Sequence, residues 1–133
     1  MAGFMRNYSG ETYALLRIVA GFLFFWHGSQ KLLGFPPYPT PEAAAQAAAA
    51  PAFIMWTAGS IELLGGLLVM VGLFTRWAAF LSSGLMAAAY WMAHGFSALL
   101  PIQNHGELAA IYSFVFLHIA ARGGGKWSFD GGE

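Results

Sequence analysis

The chain of 133 residues contains no cysteine, which excludes disulfides, thiol nucleophiles and thiolate metal centres. Charge is nearly as scarce. Asp, Glu, Lys and Arg make up 9% of the residues and hydrophobic types 58%, against about 25% charged in ordinary soluble domains. Six acidic and six basic side chains cancel, so the electrostatic basis for binding nucleic acid or a strongly charged substrate is missing. Too little charge remains to coat a water-facing surface, and the expected solvent is a lipid bilayer. The length suits one domain. Any redox chemistry has to come from a bound cofactor or a partner.

A bilayer-crossing helix needs about 20 mostly apolar residues. Four stretches meet that need: Thr12 to Leu33, Ala52 to Phe74, Trp77 to Leu99 and Gly106 to Ala121. Arg122 extends the short fourth stretch by laying its stem along the helix and lifting its charged head to the interface. All four are apolar on nearly every face, which argues against a soluble bundle. Arg17 interrupts the first stretch and no small-x-small cleavage site follows it, which argues against a signal peptide. The expected fold is therefore all-α, a four-transmembrane-helix bundle forming a single domain over 1–133.

The connections are well marked. "GFPPYPTPEAAAQAAAAPAF" sets five prolines around an alanine run, which predicts a short outer helix over 42–50 that stops at Pro51. "GLFTRW" reads as a tight hairpin with glycine ending one helix and Thr75 capping the next. "GGGKWSFDGGE" reads as a flexible tail over 123–133. With four spans both termini share a side, which holds Arg6, Arg76, Arg122 and Lys126 while the other side has only Lys31. The positive-inside rule then places both termini in the cytoplasm, in the cytoplasmic (inner) membrane.

Polar groups collect in the outer half of these spans. His27, Gln30 and Lys31 come from the first, Glu62 from the middle of the second, His94 from the third, and Asn104, His105 and Glu107 from the start of the fourth. Ionisable groups in lipid are expensive, so they are expected to face one another or a wet cavity. Two stripes at helical spacing are expected to face inward: Arg17, Gly21, Phe24, Gly28 and Lys31, and Glu107, Ile111, Phe114, His118 and Arg122. Ala79, Ser83 and Ala87 recur every fourth residue, and Gly59 and Gly66 share a face two turns apart, so both sets are expected to let helices close together.

"LLRIVAGFLFFWHGSQKL", "IELLGGLLVMVGLFTRWAA", "MAAAYWMAHG", "NHGELAAIY" and "GGGKWSFD" together resemble the DoxX family of small four-helix membrane proteins, over nearly the whole chain from Leu15 to Asp130. The resemblance rests on Arg17, His27, Gly28, Lys31, Glu62, Gly65, Gly66, Gly72, Arg76, His94, Asn104, Glu107 and a terminal Trp-Ser-x-Asp at Trp127, Ser128 and Asp130. His105, His118 and "GGGKW" depart from the usual pattern. Some relatives are linked with thiosulfate:quinone oxidoreductase and others with membrane-bound oxidant-defence complexes, so the resemblance implies a redox-associated role. The cysteine pairs of related four-helix redox proteins are absent here.

Several readings of the outer cluster stand side by side. In the first, the chain is a quinone-interacting accessory subunit of an oxidoreductase. Glu62, His27 and His94 then handle protons, and Lys31, Gln30, Asn104, Glu107 and Arg17 hold the cofactor. In the second, the buried charges specify the fold, and the chain is a non-catalytic assembly subunit of a larger membrane complex or a homo-oligomer. In the third, His27, His94, His105 and Glu107 converge on a metal or haem. Small-solute transport is less well supported, because no inverted repeat is visible.

Overall fold

A computed structural model describes residues 3–132, and every regular element among them is helical. After a 3-10 turn at Gly3–Tyr8 come α1 (Ser9–Leu33), α2 (Pro41–Ala49), α3 (Ala52–Val71), α4 (Thr75–Ala93), the short α5 (Pro101–Asn104) and α6 (Glu107–Arg122). By length and apolar composition, α3 is the one helix among the described residues that passes for a membrane span. Arg17 and His27 dilute α1, Arg76 and the serines dilute α4, and α6 has 16 residues.

Helix α1 packs along α3, and α4 packs along α6. The first seam is built from glycines two turns apart on each helix. A Cβ on Gly21 would lie 2.5 Å from Met70 N, one on Gly28 2.2 Å from Leu63 N, and one on Gly66 2.5 Å from Phe25 N. Only hydrogen fits at these points, so the two backbones run in contact. Between the helix pairs, Phe24 meets Phe116 at 4.6 Å and Tyr112 at 5.6 Å between ring centroids.

The expected inward stripe on α1 does face inward: Arg17, Gly21, Phe24 and Gly28 are buried and Lys31 is partly so. The expected stripe on α6 does not. Glu107, Ile111, Phe114, His118 and Arg122 are exposed, while Tyr112, Phe116 and Ile119 point inward. Glu107 and Arg122 stand at the two ends of the helix, and its aromatic face, Tyr112 and Phe116, packs inward. On α4, Ala79 and Ser83 are buried but Ala87 is exposed.

The surface is dominated by apolar side chains. Leu15, Val19, Phe22 and Leu23 on α1, Phe80 and Leu81 on α4, and Ile111, Phe114 and Leu117 on α6 are exposed, whereas Arg17, Glu62, Thr75, Ser82 and Asn104 are buried. Helix α4 stops at Ala93 rather than running to Leu99, because the backbone turns at His94 and Gly95.

The segment expected to be a flexible tail is docked. Gly123, Gly124 and Gly125 are buried, and Phe129 N and Asp130 N donate to Val71 O and Gly72 O at 3.3 and 2.7 Å. Glu133, at the end of that expected tail, lies outside the described residues. Nor does Thr75 cap α4, since its Oγ1 is buried without a partner. Asp130 does so instead, accepting from Phe74 N at 2.8 Å and from Thr75 N at 2.7 Å.

Candidate functional site

Helix α3 loses its regular hydrogen-bond spacing at Ile61–Gly65, where five residues form a π-turn. Such turns widen a helix, re-aim its side chains and occur frequently at functional sites. Glu62 rides on this turn and is 3% exposed. From α1, the Lys31 ammonium donates to both of its carboxylate oxygens, Oε1 at 2.7 Å and Oε2 at 2.6 Å. The glycine seam makes the pairing geometrically accessible, because Gly28 and Gly59 bring the two backbones together one turn before Lys31 and Glu62 respectively.

A cavity of about 250 Å³ adjoins the pair. Phe24, His27 and Lys31 line it from α1, Glu62 from α3, Met86 and Ala89 from α4, and Leu108, Ala109 and Tyr112 from α6, with His94 and His105 at the connection between them. The His27 ring lies edge-on to Tyr112 at 6.4 Å. His94 Nδ1 is 2.9 Å from Asn104 O, which fixes the ring where α4 ends. Asn104 is buried. Its Nδ2 donates to Tyr90 Oη at 3.0 Å and Ala98 O at 3.2 Å, and its Oδ1 accepts from Gly106 N at 2.8 Å. It thereby shapes the loop that carries His105, whose φ of 59° is left-handed.

The proline-rich connection folds back over α1. Ser29 Oγ donates to Phe35 O at 2.6 Å, and Gln30 Nε2 donates to Pro36 O at 3.1 Å. Tyr38 belongs to the same connection. Burial, and secondarily the negative charge of Glu62, raises its phenol above the ordinary value.

Five of the residues expected at the outer site therefore share one cavity: His27, Lys31, Glu62, His94 and His105. Gln30 and Asn104 hold the neighbouring backbone instead of lining it. Glu107 borders a separate apolar groove with Leu108, Ile111 and Phe114. Among the described residues no three His, Asp or Glu side chains are grouped to hold a metal ion, and of the expected set His27, His94 and His105 share the cavity while Glu107 does not. The rotation of α6 turns Glu107 outward. The cavity falls below the roughly 300–1,000 Å³ of typical ligand pockets.

Arg17 is elsewhere, 14 residues before Lys31 and so about 21 Å back along α1. It is fully buried, and its Nη atoms donate to Val69 O (2.8 Å), Met70 O (2.7 Å), Lys126 O (3.1 Å) and Trp127 O (2.8 Å). Two of these carbonyls, Val69 O and Met70 O, belong to the C-terminal turn of α3, where a helix dipole favours a cation. Arg17 thus ties the C-terminal segment to α3 rather than lining the outer cavity.

The model of the family described as DoxX matches residues 12–95. The chain belongs to the DoxX family. The DoxX match takes in Arg17, His27, Lys31, Glu62 and His94, and leaves Asn104, His105 and the docked C-terminal segment outside it. An uncharacterized protein of Haemophilus influenzae is 39% identical over 129 residues, covering 95% of this chain and 93% of the relative. A Bacillus subtilis protein named "Putative oxidoreductase CatD" is 38% identical over 65 residues, 47% of this chain and 44% of its own. No solved structure matches significantly.

Sequence reasoning passed over Tyr112, Phe24 and Met86 as cavity walls. Aromatic and thioether side chains at helical spacing read as core, and nothing local marks one that borders a void. It also assigned no specific contact to Asp130, which caps a helix 55 residues earlier in the chain.

Proposed function

We propose that this DoxX chain spans the cytoplasmic membrane four times with both termini in the cytoplasm. It acts there as a redox-associated accessory protein whose outer cavity takes a quinone head group. Burial supports the membrane reading. Exposed leucine and phenylalanine on α1, α4 and α6 surround buried arginine, glutamate, serine and asparagine, and extended apolar surface of this kind marks contact with a membrane or a partner. Helix α1, with 25 residues, is about 37 Å long and sufficient for a bilayer core of about 30 Å.

The observation that carries the quinone reading is the Lys31–Glu62 pair beside a cavity bordered by His27, His94 and His105. Quinone reduction adds two electrons and two protons, one proton at each oxygen. In this reading Lys31 donates to one oxygen, His27 and His94 serve the other, and Glu62 relays protons. The electrons come from a partner oxidoreductase, in keeping with the name of the Bacillus subtilis relative.

Quinone retention by protein gently extracted from its own membranes tests this. Glu62→Gln and His94→Ala should each weaken retention about ten-fold, and unchanged retention in both ends the quinone reading. A second reading, an assembly subunit with no ligand, is favoured by the ion pair being complete in itself. Lys31→Met alone should destabilise the fold by about 1.5–3 kcal/mol, the usual worth of a hydrogen bond to a charged group. Adding Glu62→Gln should recover much of that loss. A recovered fold that still retains quinone assigns the pair to structure; one that has lost it assigns the pair to the ligand.

A further inference from the structure

The opposite end of the bundle carries a second cavity that the quinone reading does not use. It measures about 570 Å³ and is bordered by Arg76, Trp77, Arg122, Gly124 and Asp130. Its charges are unevenly committed. Asp130 gives both carboxylate oxygens to the amides of Phe74 and Thr75. Arg76 donates through Nη1 and Nη2 to the C-terminal carbonyls of α6, at Ala120, Ala121 and Arg122. Arg122 places its guanidinium 4.1 Å over the Tyr13 ring and is exposed. Among the described residues that line the mouth, two guanidinium groups stand against one carboxylate, a net charge of one positive unit.

An apolar groove adjoins this polar cavity and shares two of its lining residues. Arg76 and Trp77 also border a groove of about 650 Å³ along the α4–α6 seam, floored by Ala120 and Ala121 and walled by Phe80 and Leu117. Phe80 is 57% and Leu117 47% exposed, so the groove opens toward surrounding acyl chains. Ala120 and Ala121 of α6 leave space beside Phe80 of α4. A cationic recess at the interface beside an apolar slot has the shape and polarity of a phospholipid with an anionic head.

We propose that this end of the molecule is a binding site for an anionic phospholipid, with its phosphate at Arg122 and Arg76 and one acyl chain between Phe80 and Leu117. Basic recesses between membrane helices recognise such head groups. Phosphate contacts would reinforce the capped end of α6 and the docked segment after it. The proposal needs the chain to span a bilayer but not the outer cavity to bind quinone, so the two can fail separately.

Native mass spectrometry of the full chain, reconstituted with mixed phosphatidylglycerol and phosphatidylcholine and released from detergent, tests it. The wild type should retain phosphatidylglycerol in preference. Arg122→Gln should lower that retention about five-fold, the effect of one surface cation, while Arg122→Lys keeps most of it. Ala121→Phe, which fills the slot without touching charge, should lower retention of phosphatidylglycerol but not the response to soluble glycerol phosphate. Equal retention of both lipids by the wild type, or no loss in Arg122→Gln and Ala121→Phe when both remain folded by circular dichroism, overturns it. Full displacement of the lipid by glycerol phosphate would overturn the lipid assignment and leave a plain phosphate site.

Discussion

At the scale of single residues, the long-range helix cap makes the sharpest prediction. Burial pushes the Asp130 carboxyl up, but the Thr75 and Phe74 amides and the Arg17 charge outweigh that and hold it below the ordinary range. A carboxyl lowered in the folded state adds stability that is fully present above its unfolded value and is lost as pH falls through the folded one. Asp130→Ala should therefore cost about 1 kcal/mol at neutral pH, the usual worth of a helix cap. The gap between variant and wild type should close as acid titrates the carboxyl. Thermal unfolding in detergent across a pH series reads this, and a gap that persists in strong acid would assign the loss to packing. Nothing near Thr75 in the sequence announces Asp130, since a cap supplied from a distant segment has no local signal.

At the scale of elements, the α1–α3 seam is legible in the sequence and its consequence is not. The spacings of Gly21 with Gly28 and Gly59 with Gly66 place each pair on one helix face, but only the packed structure shows that a Cβ at Gly28 would lie 2.6 Å from Gly59 O. Backbone cannot move aside as a side chain can. Gly28→Ala should thus destabilise by about 1–3 kcal/mol through overpacking and separate Lys31 from Glu62. Gly84→Ala is the matched control: nothing lies within 4 Å of its Cβ position, so the better helix former should stabilise by about 0.5–1 kcal/mol. Denaturant titration in micelles compares them, and equal responses would mean that the seam tolerates side chains. The π-turn at Ile61–Gly65 has no mark in "IELLG", and it packs against both α1 and α4.

At the scale of the whole molecule, the absence of cysteine becomes an experimental advantage. A single introduced thiol is the only reactive one, so sidedness can be read without background. Glu42→Cys in the proline-rich connection should react with an impermeant maleimide on intact cells. Gly131→Cys should react only after the membrane is opened. The opposite pattern would invert the orientation drawn from Arg6, Arg76, Arg122 and Lys126, and reaction of both on intact cells would place them on one side.

Sequence by itself determined the helical class, the family, and the confinement of polar groups to particular helical depths, because hydropathy and spacing are properties of short segments. It also singled out His27, Lys31, Glu62 and His94, since a charge within an apolar run stands out without any structure. Rotation was decided only by tertiary packing. Which face of α6 turned inward depended on Tyr112 and Phe116 finding Phe24, and that choice sent Glu107 away from the cavity. The C-terminal glycines were likewise read as slack, yet the small residues let the chain pass close beside Arg17 and Arg76. Burial of one unpaired arginine against four carbonyls is a long-range bargain that no local pattern encodes.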